Sequence, residues 1–170
     1  VHRPRPRHGL IAVLADTHMP KGGRRLPERT VELLRGAEAT LHAGDFFAAS
    51  VLEEIDAICP GPIHAVHGNV DDAELRAALP QTLEVEFDGA RIAMIHDAGP
   101  AKGRLGRMRA RFPAADAVVF GHSHLPLHEE EGGFQIFNPG SPTERRRAPR
   151  HSMAVLRIDS GRPVFEHVWL

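Results

Sequence analysis

The chain has 170 residues, enough for one domain and too few for two ordinary ones, and 42% apolar residues, which excludes a largely disordered chain. Twenty-one Lys and Arg against 22 Asp and Glu leave a net charge of −1, which argues against a wholesale electrostatic nucleic-acid binder, and no stable nucleic-acid binding is expected. Cys59 stands alone, so neither a disulfide framework nor a thiolate metal cluster can form.

Val1 to His8 is rich in Pro and Arg and reads as a flexible basic tail; residues 9–170 are expected to form one domain. Gly9 to Ala15 is a continuous apolar run, the pattern of a buried parallel strand, and is far too short to cross a bilayer. No leader segment is legible, so a cytoplasmic location without membrane association is expected. A helix is predicted over Leu26–Leu34, a strand over Ala39–Ala43, a helix over Ala48–Ile58 ending at Pro60, a strand over Ile63–His67 and a helix over Asp72–Leu79. Asp71 and Asp72 suit the N-terminus of that last helix. The second half changes character. Thr82–Phe87 and Arg91–Ile95 flank Asp88-Gly89, a hairpin signal. A basic helix covers Lys102–Phe112 and a buried strand Ala117–Phe120. Two further hairpins flank Gly132-Gly133 and Asp159-Ser160-Gly161. This order predicts two sheets packed together with helices outside, the first half as a parallel, doubly wound unit.

Histidine is over-used, with 12 residues against no Tyr. Five polar signatures each follow an apolar strand: Asp16-Thr17-His18, Gly44-Asp45, Gly68-Asn69, His96, and Gly121-His122-Ser123-His124. In open α/β sheets, sites form at the carboxyl ends of strands, so strands sharing one sheet would bring all five to one rim. The residue types are oxygen and imidazole donors without sulfur, which suit Mn, Fe, Zn or Ni better than Ca or Mg. Seven ligands exceed what one catalytic ion with an open position takes. They suit two ions about 3.5–4 Å apart that share a carboxylate and act on an in-line displacement at phosphorus.

This ordered set resembles the calcineurin-like metallophosphoesterase superfamily, and within it the short bacterial and archaeal phosphodiesterases related to the retromer scaffold subunit. Asn138-Pro139-Gly140-Ser141 extends the similarity over most of the chain. The resemblance implies an α/β fold, a four-layer αββα sandwich of two mixed sheets with flanking helices. It implies that Asp16, His18 and His124 hold one divalent ion, that Asn69, His96 and His122 hold a second, and that Asp45 bridges both. Manganese is the first expectation, with Zn, Ni or Fe as alternatives. The implied activity is phosphodiester hydrolysis, on a small diester or nucleotide, by in-line attack of a hydroxide bridging the ions. The implied catalytic set is Asp45, Asn69 and His96. A phosphomonoesterase on the same centre, or a non-catalytic protein-binding scaffold of the same fold, is the alternative, and a homodimer is a further expectation.

Two positions depart from the family pattern. Val70 stands where many members carry a leaving-group histidine, which leaves the general acid to a bound water, Asp71, Asp97 or His67 and implies preference for activated or cyclic diesters. His96-Asp97-Ala98-Gly99 replaces a frequent His-Gly-His, which alters substrate contacts and not the metal ligand. Other residues near the signatures carry weaker expectations. His42 reads as a satisfied, partly buried histidine with an outer-sphere role as the sharper alternative. Asn138 and Ser141 read as a turn with a possible contact to the site. Lys21, Arg24 and Arg25 read equally as a solvated loop or as phosphate contacts. Arg145–Arg147 with Arg150 read as a solvated loop. Cys59 is assigned to packing, and His2, His8, His128, His151 and His167 to no special role.

Overall fold

A computed structural model describes residues 9–170, so the expected basic tail at residues 1–8, with His2 and His8, lies outside the described residues. The first half runs β1 (Ile11–Leu14), α1 (Glu28–Arg35), β2 (Ala39–His42), α2 (Ala49–Ile58), β3 (Ile63–Ala65) and α3 (Ala73–Ala78). The second runs β4 (Thr82–Phe87), β5 (Ala90–Ile95), α4 (Arg104–Arg111), β6 (Ala117–Val119), β7 (Leu127–Glu131), β8 (Phe134–Asn138), β9 (Ser152–Asp159) and β10 (Arg162–Trp169). Every predicted element is present, with ends displaced by one or two residues. Among the described residues no helix is long and apolar enough to cross a membrane.

The strands form two five-stranded mixed sheets, ordered β10-β9-β1-β2-β3 and β4-β5-β6-β8-β7. β1, β2 and β3 are parallel neighbours, and β5, β6 and β8 are likewise parallel. The remaining neighbours, β9 with β1, β10 with β9, β4 with β5 and β7 with β8, are antiparallel. All three predicted hairpins close through two-residue turns. Asp88 and Gly89 both have positive φ (46° and 87°), the mirror-image turn whose twist matches that of the flanking strands.

Period-two alternation along β1 explains the layering. Ala12 and Leu14 face one way and pack with Leu33 and Leu34 of α1, Val51 and Ile55 of α2, and Leu75 of α3. Ile11 and Val13 face the other way and meet Ile92, Met94, Val119 and Phe137 of the second sheet. On the far side of that sheet, Met108 of α4 and the following Phe112 cover Ala93, Val118 and Phe120. The result is the four-layer αββα sandwich that the resemblance implies.

One expectation is corrected. The first half is not doubly wound: its strands lie side by side in chain order, and α1, α2 and α3 all cover the same face. The opposite face is buried by the second sheet, so no helix can lie there. The strands preceding the five signatures do not share one sheet. Three belong to the first and two to the second.

Candidate metal centre

The seven predicted ligands nevertheless come together, because the carboxyl ends of both sheets open on the same edge. Two contacts stitch that edge across the sheets. The His122 amide donates to Asp16 Oδ2 at 3.0 Å, and His96 Nδ1 donates to the Ala43 carbonyl at 2.8 Å. Within the first sheet, the amides of Asp16 and His18 donate to the carbonyls of Gly44 and Asp45 at 2.9 and 3.1 Å. The loops are strained: Asp16, His18, Asp45, His122 and His124 all have φ between 44° and 74°, a region that non-glycine residues rarely occupy.

Small residues in the signatures now have a physical reason. A Cβ on Gly68 would lie 2.0 Å from Asp45 Oδ1, and one on Gly121 would lie 2.9 Å from Asp16 Oδ2. Both glycines let the backbone approach a carboxylate more closely than any side chain allows.

Two donor groups result. Asp16, His18 and His124 form one, and Asp45, His96 and His122 the other; in each, the ligand atoms lie within 4.8 Å of one another. Asp45 reaches both, with Oδ2 3.6 Å from His18 Nε2 and 3.0 Å from His96 Nε2. Asn69 Oδ1 joins the second group, 3.0 Å from His96 Nε2 and 3.1 Å from His122 Nδ1.

The orientation of the imidazoles tests whether cations fit. His18 Nδ1 lies 3.5 Å from the Glu144 carboxylate, His124 Nδ1 donates to the Glu144 carbonyl, and His96 Nδ1 is held by Ala43. An acceptor at Nδ1 fixes the ring and leaves Nε2 with its lone pair turned inward, as metal-binding imidazoles require. Asp16 Oδ1, His18 Nε2 and His124 Nε2 are buried and have no hydrogen-bond partner. His124 Nε2 lies 3.6 Å and His18 Nε2 3.8 Å from Asp16 Oδ1. Buried polar atoms are normally satisfied, so three orphans converging on one point fit a bound cation.

The electrostatics agree. Burial would raise the Asp45 carboxyl, but hydrogen bonding and charge from His96, the Val70 amide and His18 hold it below the usual carboxylate range. Burial likewise opposes protonation of His96, yet Asp45, Asp16 and the Ala43 carbonyl push it up to about 9. Burial pushes His124 down, against the pull of Asp16 and the Glu144 carbonyl.

Several residues around the centre do more than was expected of them. Asp71 braces the loops, because its oxygens accept the amides of Asp45 (3.0 Å), Gly68 (2.7 Å) and Phe47 (2.9 Å). It ties the second signature loop to the third, while burial, against those donated amides, holds its carboxyl above the usual range. Asp72 alone serves the N-terminus of α3, accepting from Leu75 at 2.9 Å. Ser141 Oγ donates to the Asp16 carbonyl at 2.7 Å, and Asn138 Nδ2 donates to the Gly121 carbonyl at 3.2 Å, so the Asn-Pro-Gly-Ser turn braces the first and fifth signatures. Glu144 was not anticipated. It holds His18 and His124 and pairs with Arg24 at 3.0 Å, which commits Arg24 to the protein and not to a phosphate. Arg146 of the basic run donates to the His122 carbonyl at 3.3 Å. Asp97 and His67, the remaining acid candidates, stay on the wall of the site.

His42 is fully buried and supports the second signature loop. Its Nδ1 accepts the Gly44 amide at 3.1 Å, and Nε2 donates to Thr17 Oγ1 at 3.2 Å. Burial first, then His96 and His18 against Asp45, lower it from 6.5 to about 3. Above pH 6.5 the folded and unfolded states both hold it neutral. Below that only the unfolded chain binds the proton, so stability falls as pH falls from 6.5 toward about 3. The wild type should lose about 1.4 kcal/mol per pH unit more than His42→Gln over that window. Chemical denaturation at stepped pH measures this, and equal slopes would show that His42 titrates normally.

Comparison with known proteins agrees with this geometry. The family model for the calcineurin-like phosphoesterase superfamily domain matches residues 10–161. A probable metallophosphoesterase of Methanothermobacter thermautotrophicus is 33% identical over 152 residues, 88% of this chain and 86% of that protein. A phosphodiesterase of Methanocaldococcus jannaschii is 26% identical over 145 residues, 76% of this chain and 82% of that protein. Among solved structures, Vps29 from Entamoeba histolytica complexed with Zn²⁺ superposes with a TM-score of 0.76 at 21% identity, covering 94% of this chain and 98% of that one; at that identity the likeness concerns the fold. With its fold, its matched length and two groups of candidate metal ligands at one sheet edge, the chain belongs to the calcineurin-like phosphoesterase superfamily.

Proposed function

We propose that the chain is a metal-dependent phosphodiesterase acting on a small phosphodiester or nucleotide. In this reading Asp16, His18 and His124 hold one divalent ion, Asn69, His96 and His122 a second, and Asp45 reaches both. Manganese is the first candidate, with Zn, Ni and Fe as alternatives. When bound, the ions supply hydroxide at neutral pH and offset the charge that builds on the phosphoryl oxygens.

The protein's own contribution is placement. Glu144 and the Ala43 carbonyl hold three imidazoles with Nε2 inward, and Asp71 keeps Asp45 and Asn69 on loops of fixed spacing. The observation that carries the reading is the convergence of Asp16 Oδ1, His18 Nε2 and His124 Nε2, buried and without partners, beside Asp45. The relationship to a curated phosphodiesterase supports the diester over the monoester.

Val70 offers no proton to a departing alkoxide, and Asp71 is committed to backbone amides. Rates should therefore fall steeply as the leaving alcohol becomes more basic. The test is hydrolysis of bis(p-nitrophenyl) phosphate and of less activated diesters with added Mn, Zn, Ni or Fe, beside metal analysis of the purified protein. Turnover that is lost on chelation and restored by metal is expected, with two ions per chain. No turnover with any of these ions, or a protein that takes up none, would leave the scaffold alternative standing.

A further inference from the structure

A cavity of about 400 Å³ opens against the second ligand group, with Asn69 and His96 on its inner wall. That volume lies inside the usual range for small-molecule sites. Its other walls carry Arg76, Arg111, Gln81 and His67. The ion-paired arginines of the described residues are Arg24, Arg29, Arg91 and Arg162, so neither guanidinium in the cavity is neutralised by a carboxylate. Arg76 is fixed in place, since Nε donates to the Asp71 carbonyl at 3.0 Å and Nη2 to the Asn69 carbonyl. Its position is thus set by the same loop that carries a candidate ligand. His67 Nδ1 is buried without a hydrogen-bond partner, so a polar group remains to be satisfied there. Asp97 shares the wall, but its carboxylate accepts the Gly99 amide at 2.8 Å and lies 3.9 Å from His122 Nε2.

Two positive charges beside one occupied negative charge select an anion, and the centre next to them already binds the scissile phosphate in the reading above. We propose that this cavity receives an ester substituent of the substrate, and that the substituent carries a second anionic group, phosphate or carboxylate, held by Arg111 and Arg76. The inference rests on the phosphodiesterase reading. It adds to it that the preferred substrate is a diester with a charged arm, and that Arg111 decides the preference. A guanidinium suits either oxyanion because its donors match two oxygens at once.

The test compares three p-nitrophenyl phosphodiesters that differ only in the second ester group: ethyl, 3-carboxypropyl and 3-phosphonopropyl. The wild type should favour one or both charged esters over the ethyl ester by about tenfold or more in kcat/KM, mainly through KM. Which of the two charged esters is preferred identifies the anion. The ratio cancels any general effect of a substitution on folding or metal content. It should fall to near unity in Arg111→Gln and recover in part in Arg111→Lys. Equal kcat/KM for all three esters in the wild type, or a preference that survives Arg111→Gln, overturns the proposal. A second readout needs no turnover. Inorganic phosphate titrated into the metal-free protein should shift the Arg111 Nε–H resonance, and an unmoved resonance counts against the cavity. If none of the esters is hydrolysed, the phosphodiesterase reading fails and the phosphate titration decides the cavity by itself.

Discussion

Asp45→Ala should lower hydrolysis of a p-nitrophenyl diester by about 10³-fold or more, because it removes the carboxylate oxygen that lies between the two candidate ligand groups, 3.6 Å from His18 and 3.0 Å from His96. The loss has two parts. Oδ2 disappears from beside His18 and His96, so neither group keeps its shared donor. Oδ1 no longer accepts the Val70 amide, at 2.9 Å, so the loop bearing Asn69 loses an anchor. Asp45→Asn separates these, since an amide oxygen can still accept from Val70 while the bridging charge is gone. Both variants should bind fewer metal ions than the wild type by elemental analysis. An Asp45→Ala protein that kept two ions and a tenth or more of the activity would remove Asp45 from the centre of the reading.

Asp71→Ala should be strongly destabilising. Three backbone amides, from Asp45, Gly68 and Phe47, lose their acceptor in a region where water cannot replace it fully. At 4% exposure Asp71 is effectively interior. A buried donor left unsatisfied costs about 1–3 kcal/mol, so the three together should cost roughly 3 kcal/mol or more. For a chain of this size that corresponds to a fall in Tm of about 6–12 °C. Calorimetry of the metal-free protein checks it without interference from bound ions. Activity should fall too, because the Gly44-Asp45 and Gly68-Asn69 loops are no longer tied together. A Tm within a degree or two of wild type would mean that those amides find other partners.

Most of the fold was legible because each strand carries its own signature. β1 reads as buried on both faces since Ile11 to Leu14 is uniformly apolar, and it is indeed covered by helices on one side and a sheet on the other. The hairpins were legible because Asp88-Gly89 and Gly132-Gly133 demand positive φ at both central positions. The candidate ligands were legible because each stands within five residues of a strand's carboxyl end, where chain direction alone places it. What misled was the winding. A run of strand–helix–strand units is compatible with helices on both faces, and only the competition for the inner face, won by β5, β6 and β8, puts α1, α2 and α3 on one side.

The sequence by itself determined the chemistry at this sheet edge: which residues carry imidazole, carboxylate and amide oxygen, and in what order along the strands. The tertiary structure alone decided how those groups are aimed. Glu144 holds His18 and His124 from more than a hundred and about twenty positions away respectively, and Asp71 serves as a brace because the loops of Asp45 and Gly68 present their amides to it. Arg111 faces a cavity beside Asn69 through the packing of α4's sheet against the first sheet. The physical reason is that a donor's identity is local and covalent. Its direction depends on partners that only folding brings within hydrogen-bonding distance, and no spacing along the chain records them.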